Sequence, residues 1–149
     1  MTGANWRACA DPDEMLVAMH GVATDEQLRL WCCACVRRVW DRLAPDGVGR
    51  RAVEVAEAFA RQAATAAELS EVRGSVEEAL RQTRVSRTKD ALFAAAKCTA
   101  GAMDALGVAR TVAWGATFAA VGQDDAAGIA VERTAQAELL RGIIGVPPE

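Results

Sequence analysis

Five cysteines and a single histidine are the residues of this chain best suited to hold a metal or move electrons. Cys32 and Cys35 stand three apart, on one face of any helix that spans them, while Cys33 points elsewhere. Cys9 and His20 lie on flanking segments that can fold against that face. Together Cys9, His20, Cys32 and Cys35 form a candidate zinc set, since two to four thiolates with imidazole close a tetrahedral site. A thiol-redox variant uses Cys9, Cys32 and Cys35 alone. The spacing argues against both. Zinc knuckles bring Cys-x-x-Cys from a tight turn, whereas this pair falls mid-helix. Cysteine is also among the residues most often buried, where it packs as a small hydrophobe. Core packing is therefore the expected role. His20 precedes Gly21 at a helix end, where a histidine serves the terminal carbonyls better than it serves a nucleophile.

Carboxylate pairs occur at Glu54 and Glu57, at Glu68 and Glu71, and at Glu77 beside Glu78. Three-residue spacing suits acid–base or metal chemistry. A di-iron bundle also needs Glu-x-x-His, which is missing here, so these pairs read as solvated helix faces. Arg37, Arg38, Arg42, Arg50 and Arg51 surround a turn at Pro45, with Trp31 and Trp40 nearby. Such a patch could hold phosphate groups, yet both indoles fall on an apolar stripe, and neighbouring glutamates are placed to pair with the arginines. Gly47-Val48-Gly49 lacks the preceding strand that a phosphate loop requires.

The elements that carry these residues announce their starts. Asp11-Pro12-Asp13-Glu14, Thr24-Asp25-Glu26-Gln27 and Thr65-Ala66-Ala67-Glu68 each read as an N-cap with an acidic or amide residue three positions on. The spacing predicts helices over about 11–20, 25–43, 48–64, 66–84, 87–99, 102–121 and 124–144. Leu28, Trp31, Cys32, Cys35, Val36, Val39, Trp40 and Leu43 form the clearest apolar stripe, with Arg29, Cys33, Arg37 and Asp41 opposite. Ala52, Val55, Ala56, Phe59 and Ala63 are expected inside the next helix, and Leu69, Val72, Val76 and Leu80 inside the one after. The segment 102–121 is apolar nearly all round, which marks a central helix. Its Gly115 and Ala119 let a neighbouring backbone approach. In the last helix, capped by Gln123 or Asp124, the expected core stripe is Val131, Ala135, Leu139 and Ile143. Pro147-Pro148 ends it. No alternating pattern predicts a strand. The expectation is an all-α bundle of six to seven helices, with residues 1–149 as a single domain.

Composition agrees. The 149 residues are 52% hydrophobic and 25% charged, which excludes a disordered polyelectrolyte. A net charge of −3 disfavours a nucleic-acid partner. Lysine is rare beside arginine, a bias consistent with the base composition of the coding DNA. The amino-terminal MTGANWRACADPDEM has no basic and apolar leader pattern, and the longest uncharged run, Thr111–Gln123, is too short to span a bilayer. Odd cysteine number and lack of a leader point to a reduced, cytoplasmic setting with no membrane partner.

Several landmarks resemble an uncharacterised all-helical bacterial domain family that occurs as divergent copies in some genomes. They are Trp6-Arg7-Ala8-Cys9 with Asp11-Pro12 and Met15-Leu16; Leu28-Arg29-Leu30 with Ala34-Cys35-Val36-Arg37-Arg38-Val39-Trp40; Arg51 to Glu57; and Ala135-Gln136-Ala137 with Leu139-Leu140-Arg141 and Ile144-Gly145. The middle third is similar only in its alanine content. The resemblance implies an all-helical domain without an assigned activity, and so no catalytic residues. Members it resembles continue past the final glycine with Asn-Pro-Phe, where this sequence has Val146-Pro147-Pro148-Glu149. The functional expectation is a non-enzymatic protein–protein interaction module or homo-oligomer, with contact surfaces near Trp6, Met15 and Met19 or along the small-residue ridge at Gly115. The alternative is the zinc or thiol protein described above.

Overall fold

Short polar side chains start the helices as their spacing predicts. In the computed structural model, which describes residues 1–147, Asp11 Oδ1 accepts from the Asp13 amide at 2.9 Å and Pro12 occupies the first helical position. Thr24 with Gln27, and Thr65 with Glu68, form complete capping boxes. The resulting order is α1 (Gly3–Ala8), α2 (Pro12–Met19), α3 (Asp25–Arg37), α4 (Val48–Ala60), α5 (Ala66–Gln82), α6 (Ser86–Cys98), α7 (Arg110–Val121) and α8 (Ala126–Ile144). A tight turn, Trp40–Arg42, and one π-helical turn, Ala105–Ala109, complete the described helical structure. No strand occurs among the described residues. The fold class is all-α, as expected. Pro148 lies outside the described residues, so its part in ending α8 is not addressed.

Several predicted boundaries and faces are corrected. Gly3–Ala8 forms a helix capped by Thr2, which apolar periodicity over six residues cannot reveal. The helix expected over 25–43 stops at Arg37, because the Arg38 and Val39 amides bond three residues back, to Cys35 and Val36. The following turn is braced by Arg50, whose guanidinium donates to the Trp40 and Leu43 carbonyls at 3.1 Å each. α4 ends at Ala60 instead of 64; Gln62 is left-handed (φ 62°) and Ala63 is exposed. The helix expected over 102–121 begins later, at Ala105, and its first five residues form the π turn that runs directly into α7. Asp25 Oδ1 accepts from the Met103 amide at 2.6 Å, and the Asp104 side chain caps Gly107 and Val108, so the helix restarts only at the π turn. The cap of α8 is Asp125, neither Gln123 nor Asp124.

α3 packs against α4, α6, α7 and α8, and α7 against α2, α3, α6 and α8. The expected outer face of α3 divides: Arg37 and Asp41 are exposed, whereas Arg29 and Cys33 are fully buried. Arg29 is satisfied there. It bonds Asp25 at 3.0 Å, donates to the Cys98 and Ala100 carbonyls at 2.8 and 2.6 Å, and lies 4.9 Å from the Phe59 ring centre. α6 and α7 pack closely, as the glycine spacing predicts. A Cβ on Gly115 would come within 3.3 Å of the Ala94 Cβ.

Trp6 and Trp31 are both fully buried. Trp31 Nε1 donates to the Gln136 carbonyl at 3.0 Å, whereas Trp6 Nε1 meets no acceptor among the described residues. Because an orphaned donor carries its desolvation penalty, Trp6→Phe should cost about 1 kcal/mol less than Trp31→Phe. Urea unfolding of the two variants checks this; equal losses contradict it.

Candidate functional site

The last helix buries a polar stripe. The expected apolar one is overturned: Val131 is 68% exposed, and Ala135, Leu139 and Ile143 are only half-buried. Glu132, Arg133, Gln136, Ala137 and Leu140 are buried instead. This is about one residue's rotation of α8 about its axis. Three polar side chains thus enter the interior, and each finds a partner.

Arg133 is the focus. Its Nη2 donates to Asp13 Oδ1 at 2.6 Å and lies 3.6 Å from Asp11 Oδ1, while Nη1 donates to Gln136 Oε1 at 3.1 Å. The guanidinium sits 4.1 Å from the ring centre of Trp114. Trp114 Nε1 donates to Asp13 Oδ2 at 3.0 Å, and Arg110 Nε approaches the same oxygen at 3.2 Å. Gln136 turns its amide to the Ala113 carbonyl at 2.9 Å and to Thr117 Oγ1 at 3.0 Å. Burial pushes the Asp13 carboxyl up. Hydrogen bonds from Trp114 and Arg133, with the charges of Arg133 and Arg110, outweigh that and hold it below the ordinary aspartate value.

Arg133 and Trp114 of this network line an open hollow of about 680 Å³, bordered also by α1, the Cys9–Asp11 turn, Glu14 and Thr134. The α1 wall is fixed from α8 by Arg141, whose Nη1 donates to the Cys9 and Trp6 carbonyls at 2.6 and 3.3 Å. Asp11 and Glu14 are exposed at the rim. A second cavity, about 340 Å³, lies on the α6 side of Trp114. Neither was visible in the apolar periodicity. A trace existed in the four-residue spacing of Arg133, Ala137 and Arg141, but its members are mostly polar and the stripe rule discards them.

The predicted ligands are scattered. Cys32 and Cys35 are buried in the core with Cys33 and Cys98. Burial pushes the Cys32 and Cys35 thiols far above their ordinary value, and for Cys98 a hydrogen bond with Cys33 comes first and burial second. Cys9 borders the large cavity, donating to the Asp11 carbonyl at 3.3 Å and lying 3.8 Å from Glu14 Oε2. His20 is the exposed C-cap of α2 and lines a separate hollow with Met103 and Asp104. No group of three His, Cys, Asp or Glu side chains among the described residues is placed to share an ion. The arginine patch is largely spent: Arg37 makes two 2.7 Å bonds to Glu57, and Arg38 bonds Glu132 at 2.7 and 3.1 Å. Trp40 is flanked by Arg37 and Arg50. Trp6, Met15 and Met19, expected at a contact surface, are buried, as is Gly115.

Comparison with family models, curated proteins and solved structures finds no match to this chain. The resemblance described above rests on its sequence landmarks alone.

Two outcomes follow. A maleimide or disulfide reagent should label Cys9 in the native protein and reach Cys32, Cys33, Cys35 and Cys98 only on unfolding, because those four are fully buried and inaccessible to it. Fast native labelling of two or more thiols, counted by mass spectrometry, contradicts the packing. A carboxyl depressed in the folded state contributes stability above its unfolded pKa, and that contribution is lost as pH falls through the folded value. Asp13→Asn should therefore cost about 2–4 kcal/mol at pH 7, and the gap to wild type should shrink below about pH 4. A gap independent of pH in denaturation curves contradicts this.

Proposed function

We propose that the protein is a helical interaction module and that its recognition site is the cavity between α1, α2, α7 and α8, which receives a basic segment of a partner protein. The supporting observation is the buried Arg133–Asp13–Trp114–Gln136 network on the cavity wall. A buried ion pair is a poor device for stability, because well-packed apolar side chains of similar volume do as well or better. Retention of one at the wall of a large hollow favours a role in recognition.

Charge selects the occupant. Asp11 and Glu14 are exposed at the rim; Asp11 lies 3.6 Å from Arg133, and Glu14 makes no ion pair among the described residues. Glu14 favours a lysine or arginine side chain at the rim, while Arg133 already lies over the Trp114 ring at 4.1 Å. A cavity of about 680 Å³ accommodates one or two such side chains. The thiol and zinc alternative has weaker support, since metal ligation needs thiolates and burial holds Cys32 and Cys35 protonated.

The test is a titration of isotope-labelled protein with a lysine- and arginine-rich peptide, followed at the Trp114 indole N–H. Saturable shifts are expected, and Asp11→Asn with Glu14→Gln should weaken binding about tenfold. Asparagine still caps α2 in that variant. An acidic peptide binding equally well, or no shift with any peptide, overturns the reading. Self-association that perturbs the same indole replaces the partner with a second copy of the chain.

A further inference from the structure

The smaller cavity carries a different chemistry. Three aromatic side chains border it: Phe93 from α6, and Trp114 and Phe118 from α7. The Trp114 and Phe118 rings lie 5.5 Å apart, tilted by 35°. Gly115 brings them to α6. A Cβ there would fall 3.5 Å from the Asp90 carbonyl oxygen and 3.7 Å from Phe93 Cδ1, so the missing side chain leaves the α6 and α7 walls in contact. Asp90 borders the same hollow, with its backbone carbonyl against Gly115.

The balance of charge decides what such a cage takes. Arg110 also borders it, but its Nε is engaged by Asp13 at 3.2 Å. Among the described residues no cation stands within ion-pair distance of Asp90. Burial pushes the Asp90 carboxyl up, opposed by Lys89, as befits a carboxylate without a direct partner. The rings themselves attract cations: Arg133 lies over Trp114, and Lys97 Nζ is 5.4 Å from the Phe93 ring centre. Neither of those cations borders the small cavity, whereas both rings do. Three aromatic rings, the unpaired Asp90 and the Asp13-bound Arg110 therefore border the same space.

We propose that this cavity binds a methylated ammonium group, held by the Phe93, Trp114 and Phe118 rings and by the Asp90 carboxylate. Methylation suits the site because it removes N–H donors that the rings cannot satisfy while the positive charge remains for the ring quadrupoles. At about 340 Å³ the cavity is near the small end of ligand sites, enough for a headgroup of that kind. This inference does not depend on the reading of the larger cavity, since it draws on α6 and on none of the rim carboxylates.

The probes are choline, its neutral carbon isostere 3,3-dimethylbutanol, and a short peptide carrying trimethyllysine beside its unmodified form. Each is titrated into isotope-labelled protein at constant ionic strength. Choline or the methylated peptide should shift the Trp114 indole saturably, with a Kd of about 1 mM or tighter. The isostere should bind about tenfold more weakly or worse. Asp90→Asn should weaken cation binding by about the same factor while thermal unfolding stays near wild type; Phe118→Leu serves as an independent variant of the cage. Asp11→Asn with Glu14→Gln should leave this binding unchanged, which separates the two cavities. Tighter binding of choline assigns a free small amine, and tighter binding of the peptide assigns a modified side chain. Equal binding of the isostere, indifference to Asp90→Asn, or no saturable shift with either cation overturns the proposal.

Discussion

Asp13 neutralises a buried arginine, and that one requirement orders a corner of the molecule. Arg133 is 6% exposed, so its charge needs a carboxylate within hydrogen-bond reach. The N-terminal turn of α2 supplies it, fixed by the Asp11 cap and Pro12. The second oxygen of the same carboxylate receives the Trp114 indole, which sets the rotation of α7. Gln136, one turn along from Arg133, binds the Ala113 carbonyl with its side chain and accepts Trp31 on its backbone oxygen. Four helices, α2, α3, α7 and α8, are thereby tied through directional bonds in a region where alanine-rich surfaces alone allow several packings.

Arginine performs the same service elsewhere. Arg29 gathers the end of α6 and the Ala100 carbonyl onto α3. Arg50 satisfies the turn after α3, Arg73 donates to the Thr99 carbonyl, and Arg141 holds the end of α1. Each guanidinium supplies several donors in a rigid plane, which suits it to carbonyls left unpaired where helices stop. A lysine offers a single strongly hydrated point charge and is a poor replacement there. The predominance of arginine, read from the sequence as a matter of coding composition, therefore also has a structural use. Small side chains make it necessary: with Ala91, Ala94, Ala95, Ala113 and Ala116 in the core, helices approach closely but gain little shape specificity from knobs and holes.

These facts explain what was legible in advance. Helix starts at Pro12, Asp25 and Ala66 were readable because capping is local chemistry within four residues. The buried Leu69, Val72 and Val76 were readable because α5 is amphipathic in the ordinary sense. The outward placement of Cys33 and Arg29 was misread for one reason, and the core stripe of α8 for the same one. Periodicity rules treat charge as a sign of solvent, whereas here Arg29, Arg133 and Gln136 are buried against partners far away in the chain. A break was expected at about 99–102; what stayed hidden was its extension to residue 104. Its carbonyl and amide groups are claimed by Arg29 and Asp25, about seventy residues earlier. Long-range hydrogen bonds leave no periodic mark.

The candidate site was hidden by the same mechanism, and Trp114 shows why the two cavities belong to one architecture. Its indole N–H is fixed by Asp13, so the ring stands as a partition with the arginine of α8 on one side and the α6 wall on the other. An apolar replacement of the network could fill space and keep the bundle folded. It could not hold that ring upright, because packing alone does not specify a rotamer as a bond to a fixed carboxylate does. The ionic corner therefore shapes the walls of both cavities as well as holding four helices together.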